Sequence, residues 1–198
     1  MTNYQFPLDF KFKIGTLAND FVASDANGQT VAYVRQKMLK LIDEVIVYNN
    51  ESKGEIKYKI KANKWIDFSA AYVFSNANGE ELGRVVRKGW ASLWKARYEI
   101  YDKNQQQLFL IQEENGWVKV MDALLGEVPI LSMFTGYLFN PKYLVKKMDE
   151  TAIIRLKKEP SFFGRRFTVN KLVEFDSEKE EVILLGLMMM MLLERRRG

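Results

Sequence analysis

One apolar stretch near the C-terminus constrains the fold more than any other feature of the sequence. Residues Val182 to Leu193 carry no charge, and they lie between a mostly acidic segment, 177–181, and a terminal Arg-rich segment, 194–197. A helix of this length spans about 18 Å, whereas a bilayer core needs about 20 apolar residues. A helix that is apolar on every side has to be buried within the protein. The sequence therefore predicts a central helix, over about 177–195, that the rest of the chain surrounds.

The polar residues around this stretch are typical of helix ends. Ser177 and Glu180 have the spacing of a capping box, in which the Ser177 side chain accepts from the Glu180 amide and the Glu180 side chain bonds back to the Ser177 amide. Acidic residues in the first turn and arginines in the last turn complement the helix dipole. We therefore predict that Ser177 caps the helix.

The chain before the helix has the pattern of β-hairpins. Over residues 6–14 apolar and polar side chains alternate, as in a strand with one buried face. The motif Asp/Asn-x-Asn-Gly occurs at residues 25–28 and 76–79, with a fainter copy near residue 104 and a further turn at 49–54. Asn and Gly adopt positive φ at low cost, which favours hairpin turns. These hairpins predict a sandwich or a barrel, and the absence of any linker predicts a single domain over residues 1–198.

The composition argues against an enzyme. The chain contains no histidine and no cysteine, so it lacks the commonest general base, the commonest metal ligand and any thiol nucleophile. Its acidic pairs, at 80–81, 113–114 and 149–150, lie beside predicted turns, where we expect solvated carboxylates. No phosphate-binding glycine motif is present. We predict a non-enzymatic protein without a cofactor. Because the first ten residues do not resemble a signal peptide, we expect it in the cytoplasm, with peripheral membrane association as an option.

Five features together carry a family resemblance: the repeated hairpin motif, residues 96–102, residues 140–143, residues 157–162 and the terminal apolar helix. In this order they resemble the tubby C-terminal-like superfamily, in particular its LURP-one-related and phospholipid scramblase-like branches. The resemblance extends over nearly the whole chain from about Phe21. It implies a mostly β (α+β) fold, a closed antiparallel β-barrel of about twelve strands around a central hydrophobic C-terminal α-helix. It also implies functions such as phosphoinositide binding through a basic patch, or calcium-linked association with membranes.

Basic residues are the main candidates for a binding site in this chain of net charge +5. Anionic phospholipid headgroups or an acidic protein are the partners that such residues favour. The competing interpretation is that lysines on the wet face of a strand only keep the protein soluble. Nucleic acid is not a predicted partner, because the aromatic residues near 90–98 are more simply explained as barrel core. The candidate residues are Lys57, Lys59, Lys61, Arg84, Arg87, Lys88, Lys95, Arg97, Arg165 and Arg166.

Two further segments offer weaker candidates. The uncharged stretch Val128 to Phe139 either plugs one end of the barrel or forms an exposed contact for a protein partner, through Phe134, Tyr137 and Phe139. This contact is the alternative to lipid binding, and a scramblase-like membrane activity ranks third. The acidic segment before the helix contains carboxylates that could bind calcium, those of Asp176, Glu178 and Glu181. Helix capping already accounts for these residues, so we predict no metal site.

Overall fold

Twelve antiparallel strands close into a barrel in which sequence neighbours pair and β1 pairs with β12. This computed structural model describes residues 4–15, 19–37, 44–63, 70–88, 97–114, 140–160 and 166–195. The closed twelve-stranded barrel confirms the predicted fold class. The strands are β1 (Leu8–Phe12), β2 (Phe21–Ser24), β3 (Thr30–Lys37), β4 (Glu44–Tyr48), β5 (Ile56–Asn63), β6 (Ala71–Asn76), β7 (Glu81–Arg87), β8 (Arg97–Asp102), β9 (Gln107–Glu113), β10 (Lys142–Lys147), β11 (Ala152–Glu159) and β12 (Arg166–Lys171).

The repeated Asp/Asn motif forms the hairpin turns, and all of these turns lie at one end of the barrel. At each of three turns a side-chain oxygen accepts a hydrogen bond from the amide four residues later, with Asp25, Asn76 and Asp102 as the acceptors. Gly28 and Gly79 have φ of 78° and 88°, which a residue with a Cβ adopts at a cost. We call this end, formed by residues 25–29, 49–55, 77–80, 102–106, 147–151 and 172–181, the hairpin end.

Helix α1 (Glu180–Arg195) runs through the barrel, and every residue from Val182 to Leu193 is buried. At the hairpin end the Tyr58 hydroxyl donates to Glu181 Oε1 at 2.6 Å. At the opposite end, which we call the helix-exit end, the Tyr98 hydroxyl donates to Glu194 Oε1 at 2.6 Å. The helix thus enters at the hairpin end and terminates at the other, which confirms the predicted central helix.

The predicted capping box is wrong. Asp176 is the cap, and its side chain accepts from the Glu178 amide at 3.0 Å. A 3-10 turn, Ser177–Lys179, precedes the α-helix. The Glu180 side chain is 1% exposed and accepts from Lys171 Nζ at 2.9 Å instead of bonding the Ser177 amide. The chain enters the barrel here, so Glu180 faces the wall, where an ammonium group stabilises its carboxylate better than a backbone amide would.

The helix lies off the barrel axis, toward β6, β7 and β8. Two glycines permit this approach. A Cβ on Gly83 would lie 2.4 Å from the Tyr101 carbonyl oxygen and 3.3 Å from Cγ1 of Val182, and a Cβ on Gly186 would lie 2.7 Å from Cδ1 of Ile100. Both distances under 3.0 Å are shorter than a carbon atom tolerates, so a side chain at either position would force its neighbours apart. The wider space on the other side of the helix is filled by large side chains, among them Phe10, Phe12 and Phe21.

Candidate anion-binding face

Three predicted lysines share the outer surface of β5. Tyr58 and Ile60 are 9% and 0% exposed and point into the core. Because side chains alternate along a strand, Lys57, Lys59 and Lys61 point outward. The sequence pattern of this strand alone was sufficient to place them.

Three more predicted cations lie on the same side of the barrel. On β7, Gly83 and Val85 face the core, so Arg84 between them points outward. Arg84 pairs with Val73 of β6, and Val73 pairs with Lys61 of β5, so one residue lies between the two cations. Lys88 follows β7, and its amide donates to the carbonyl of Arg97 at the start of β8. We call this surface the β5–β8 face, defined by Lys57, Lys59, Lys61, Arg84, Lys88 and Arg97.

Glu99 binds two of these cations. Its carboxylate, in a residue only 7% exposed, lies 3.1 Å from Lys88 Nζ and 3.7 Å from Arg97 Nη2. The Tyr101 hydroxyl donates to Glu99 Oε2 at 2.6 Å, and burial together with this hydrogen bond raises the pKa of Tyr101 to about 12. Tyr101 therefore stays neutral at any physiological pH and acts only as a donor to the carboxylate.

The remaining cations of the face differ in how far they are neutralised. Arg84 lies 3.7 Å from Glu81, and Lys61 lies 3.7 Å from Glu44 of the neighbouring strand. In the described part of the chain no carboxylate oxygen lies within 4.0 Å of Lys57 or Lys59. On β5 to β8 and at Lys88, the described outward side chains comprise six cations and two carboxylates, those of Glu81 and Glu99. The face therefore has a surplus of positive charge.

Two predicted residues lie away from this face. Arg87 alternates with Val86 in the same way as Gly83 and Val85, and its cross-strand partner is the buried Tyr98, so it is directed inward. Arg166 lies on β12, nearly across the barrel from β5 to β8, and donates to Asp9 at 2.9 Å. The ten predicted cations therefore do not form one surface. Two of them, Lys95 and Arg165, lie outside the described residues.

The weaker candidates have other contacts or lie outside the described ranges. Asp176 caps the 3-10 turn, Glu181 accepts from Tyr58, and Glu178 is exposed at the helix entry. Among the residues that the structure describes, no three acidic side chains form a group that could hold a metal ion. The predicted partner-contact residues Phe134, Tyr137 and Phe139 lie outside the described residues.

Sequence reasoning missed the polar contacts inside the barrel. Glu113, expected beside a turn and solvated, is 0% exposed. The sequence did contain an indication of this burial. Side chains alternate along β9, and Glu113 lies two residues after the buried Ile111 and four after the buried Phe109, so it points to the same side. The tyrosine–glutamate contacts of α1 had no such signal, since Tyr58 and Glu181 are 123 residues apart.

The comparison with protein families agrees with this architecture. Residues 30–119 match the model of the LURP-one-related family, and the matched segment contains the whole β5–β8 face. No curated protein and no solved structure matches the chain. Among the described residues, none of the helices has the length and apolar character needed to cross a membrane. Residues 30–119 are therefore a LURP-one-related domain, and this family belongs to the tubby C-terminal-like superfamily.

Proposed function

We propose that this protein is a non-enzymatic binding module that engages anionic phospholipid headgroups through the β5–β8 face. The observation that carries the proposal is the charge of that face, where six outward cations accompany two carboxylates. A surface cation close to an anionic bilayer contributes about 1 kcal/mol to binding. A few such contacts suffice for reversible association.

The cations of the face are held at fixed positions by the strands. Successive outward residues on one strand are about 7 Å apart, and neighbouring strands are about 4.8 Å apart. Lys59 and Lys61 are therefore neighbours along β5, and Arg84 lies two strands from Lys61, so the three define a fixed triangle of charge on the wall. Lys59 has no carboxylate within 4.0 Å among the described residues, so it binds a headgroup without first losing an ion pair.

Vesicle flotation tests this proposal. Vesicles of neutral lipid, with and without a phosphoinositide, are mixed with the protein at low salt and again at physiological salt. We expect binding only to the anionic vesicles, and weaker binding at higher salt because the contacts are exposed. Absence of binding at low salt would refute the proposal.

Charge-neutralising variants locate the surface. Replacing Lys59 and Lys61 by Gln removes two cations at about 1 kcal/mol each, which weakens binding about 30-fold. The matched control is Lys103→Gln with Lys147→Gln, which removes the same charge at the hairpin end and should leave binding unchanged. Equal losses in both double variants would show a general charge effect and no specific face.

The two other functions stay predictions that no described contact favours. A protein contact through residues 128–139 predicts that Phe134→Asp and Tyr137→Asp abolish capture of a partner while lysine substitutions do not. Scramblase-like activity would require α1 to leave the barrel in which it is buried, and lipid scrambling by the purified protein in vesicles would test it.

A further inference from the structure

The charge of the barrel is distributed unevenly along its axis. The hairpin end carries twelve carboxylates and four ammonium groups of its own, those of Lys53, Lys103, Lys147 and Lys179. Three neighbouring lysines, Lys13, Lys146 and Lys171, also pair with carboxylates of this end, those of Glu51, Glu150, Glu174 and Glu180. The whole chain has 30 Lys and Arg against 25 Asp and Glu. All residues outside the hairpin end therefore contribute 26 cations and 13 carboxylates. The hairpin end is net negative even with these three lysines included, although the protein as a whole is basic.

Cations from several strands are directed to the helix-exit end. Arg97 opens β8 and Arg166 opens β12, four strands apart in the barrel of twelve, and both strands begin at this end. Lys142 opens β10 between them and is exposed. A flat surface that approached one wall would reach only some of these side chains, whereas a surface at the helix-exit end faces all of them.

Two like-charged pairs add to the positive charge near this end. Lys142 is the direct cross-strand partner of Lys157, and Lys11 is that of Arg166. Like charges directly opposite each other destabilise a strand pair. The repulsion is partly offset because Lys157 forms an ion pair with Glu159 at 3.0 Å and Arg166 forms one with Asp9 at 2.9 Å. An anionic surface would relieve the remaining repulsion around Lys11 and Lys142.

We propose that the protein docks on an anionic bilayer end-on, with the helix-exit end toward the lipid and the acidic hairpin end away from it. This inference rests on the proposed lipid binding and specifies its orientation. Within the β5–β8 face it assigns lipid contact to Lys61, Lys88 and Arg97, which lie toward the helix-exit end, and not to Lys57 near the hairpin end.

The dimensions of the barrel support end-on docking over side-on docking. Its longest described strands have eight residues and extend about 26 Å. Tilting by about 40° reduces this height to about 20 Å. The Debye length at physiological ionic strength is about 8 Å, so end-on docking places the hairpin turns more than two Debye lengths from the lipid. Glu51 is the exception, because its carboxylate pairs with Lys13, just after β1, and is neutralised there. Side-on docking would bring part of that acidic rim against the anionic surface.

Single-cysteine labelling tests the orientation, because the native chain has no cysteine to interfere. Ile14, 70% exposed at the helix-exit end, and Met148, 61% exposed at the hairpin end, form a matched pair of exposed apolar sites. Each is replaced by Cys, labelled with an environment-sensitive fluorophore, and bound to phosphoinositide vesicles that contain a lipid-attached quencher. We expect quenching of the label at position 14 and none at position 148. Quenching at position 148, or equal quenching at both, would overturn the proposed orientation.

A charge-variant pair keeps this inference separate from the proposed function. Lys11→Gln with Lys142→Gln removes two exposed cations near the helix-exit end, and we expect about 30-fold weaker vesicle binding. The Lys103→Gln and Lys147→Gln control should bind as the native protein does. If the native protein binds and only the Lys59 and Lys61 substitutions weaken binding, docking is side-on and the orientation is wrong. If the native protein does not bind anionic vesicles at all, the proposed function itself fails.

Discussion

The close approach of α1 to β8 makes a quantitative prediction for Gly186→Ala. Alanine favours the helix over glycine by about 1 kcal/mol. Against this, the new Cβ would lie 2.7 Å from Cδ1 and 3.2 Å from Cγ1 of Ile100. Overpacking of this kind in a core costs about 1–3 kcal/mol. We therefore expect a net destabilisation of up to about 2 kcal/mol, whereas helix propensity alone predicts stabilisation.

A double-mutant cycle isolates the steric contribution. Ile100→Val deletes the Cδ1 atom that makes the shortest contact, and in the native background it should cost about 0.5–1.5 kcal/mol. In the Gly186→Ala background the same change relieves the overlap, so we expect its cost to fall by about 1 kcal/mol or to reverse. The free energy of unfolding is measured by urea titration with far-UV circular dichroism.

The chain supplies a matched control in Ile111. Its Cδ1 would lie 3.8 Å from the same Cβ, which is ordinary van der Waals contact. Ile111→Val should therefore cost the same with Gly or Ala at position 186. A stabilisation of about 1 kcal/mol in Gly186→Ala, with an independent effect of Ile100→Val, would show that the helix has room to move away from β8 and that no steric overlap exists.

Three further predictions concern the helix entry and the buried tyrosines. Lys171→Met should destabilise the protein by about 3–5 kcal/mol in urea titration, because it leaves the carboxylate of Glu180 buried without its cation. Adding Glu180→Gln should restore part of the lost stability. If the losses of the two substitutions simply added, the ion pair would not be the cause. Asp176→Ala should lower the free energy of unfolding by about 0.5–2 kcal/mol and Ser177→Ala by much less, since Asp176 is the cap. A larger loss for Ser177→Ala would instead support a capping box at Ser177. Burial raises the pKa of Tyr58 well above its usual range, and the hydrogen bond to Glu181 makes the next largest contribution. Its neutral form is therefore favoured in the folded state, so stability should be constant up to about pH 10, the pKa of an unfolded tyrosine, and fall above it. Urea midpoints across this range check the trend, and an unchanged slope in Tyr58→Phe would contradict the assignment.

Local patterns in the sequence predicted the parts of the fold that depend on one element at a time. The all-round apolar character of residues 182–193 was sufficient to predict a buried helix, because no partly exposed surface accommodates it. The alternation in β5 was sufficient to predict an outward row of lysines. The closed barrel of about twelve strands followed from the family resemblance, since the hairpins alone left a sandwich open.

The features that depend on pairing between distant strands were beyond such patterns. Arg87 and Lys88 are adjacent in sequence, but only the register of β7 shows that Arg87 points inward. Tyr98 and Glu194 are 96 residues apart, so neither residue reveals the other. The predicted cap failed for a similar reason: the partner of Glu180 is Lys171 on the preceding strand, and the proximity of β12 to the helix entry cannot be read locally.

The off-centre position of α1 divides the barrel into two sectors that should differ in how they tolerate sequence change. Beside β7 and β8 a glycine lies against a side chain of the facing element, Gly186 against Ile100 and Gly83 against Val182, and no other residue type fits without displacing a strand or a core side chain. On the opposite side large side chains such as Phe10 fill the space, and the unbranched Met188, which lies near Leu8 and Phe10, adapts to neighbours of different shape. Related chains that keep this architecture should therefore retain small residues along the first sector while exchanging large apolar residues freely along the second.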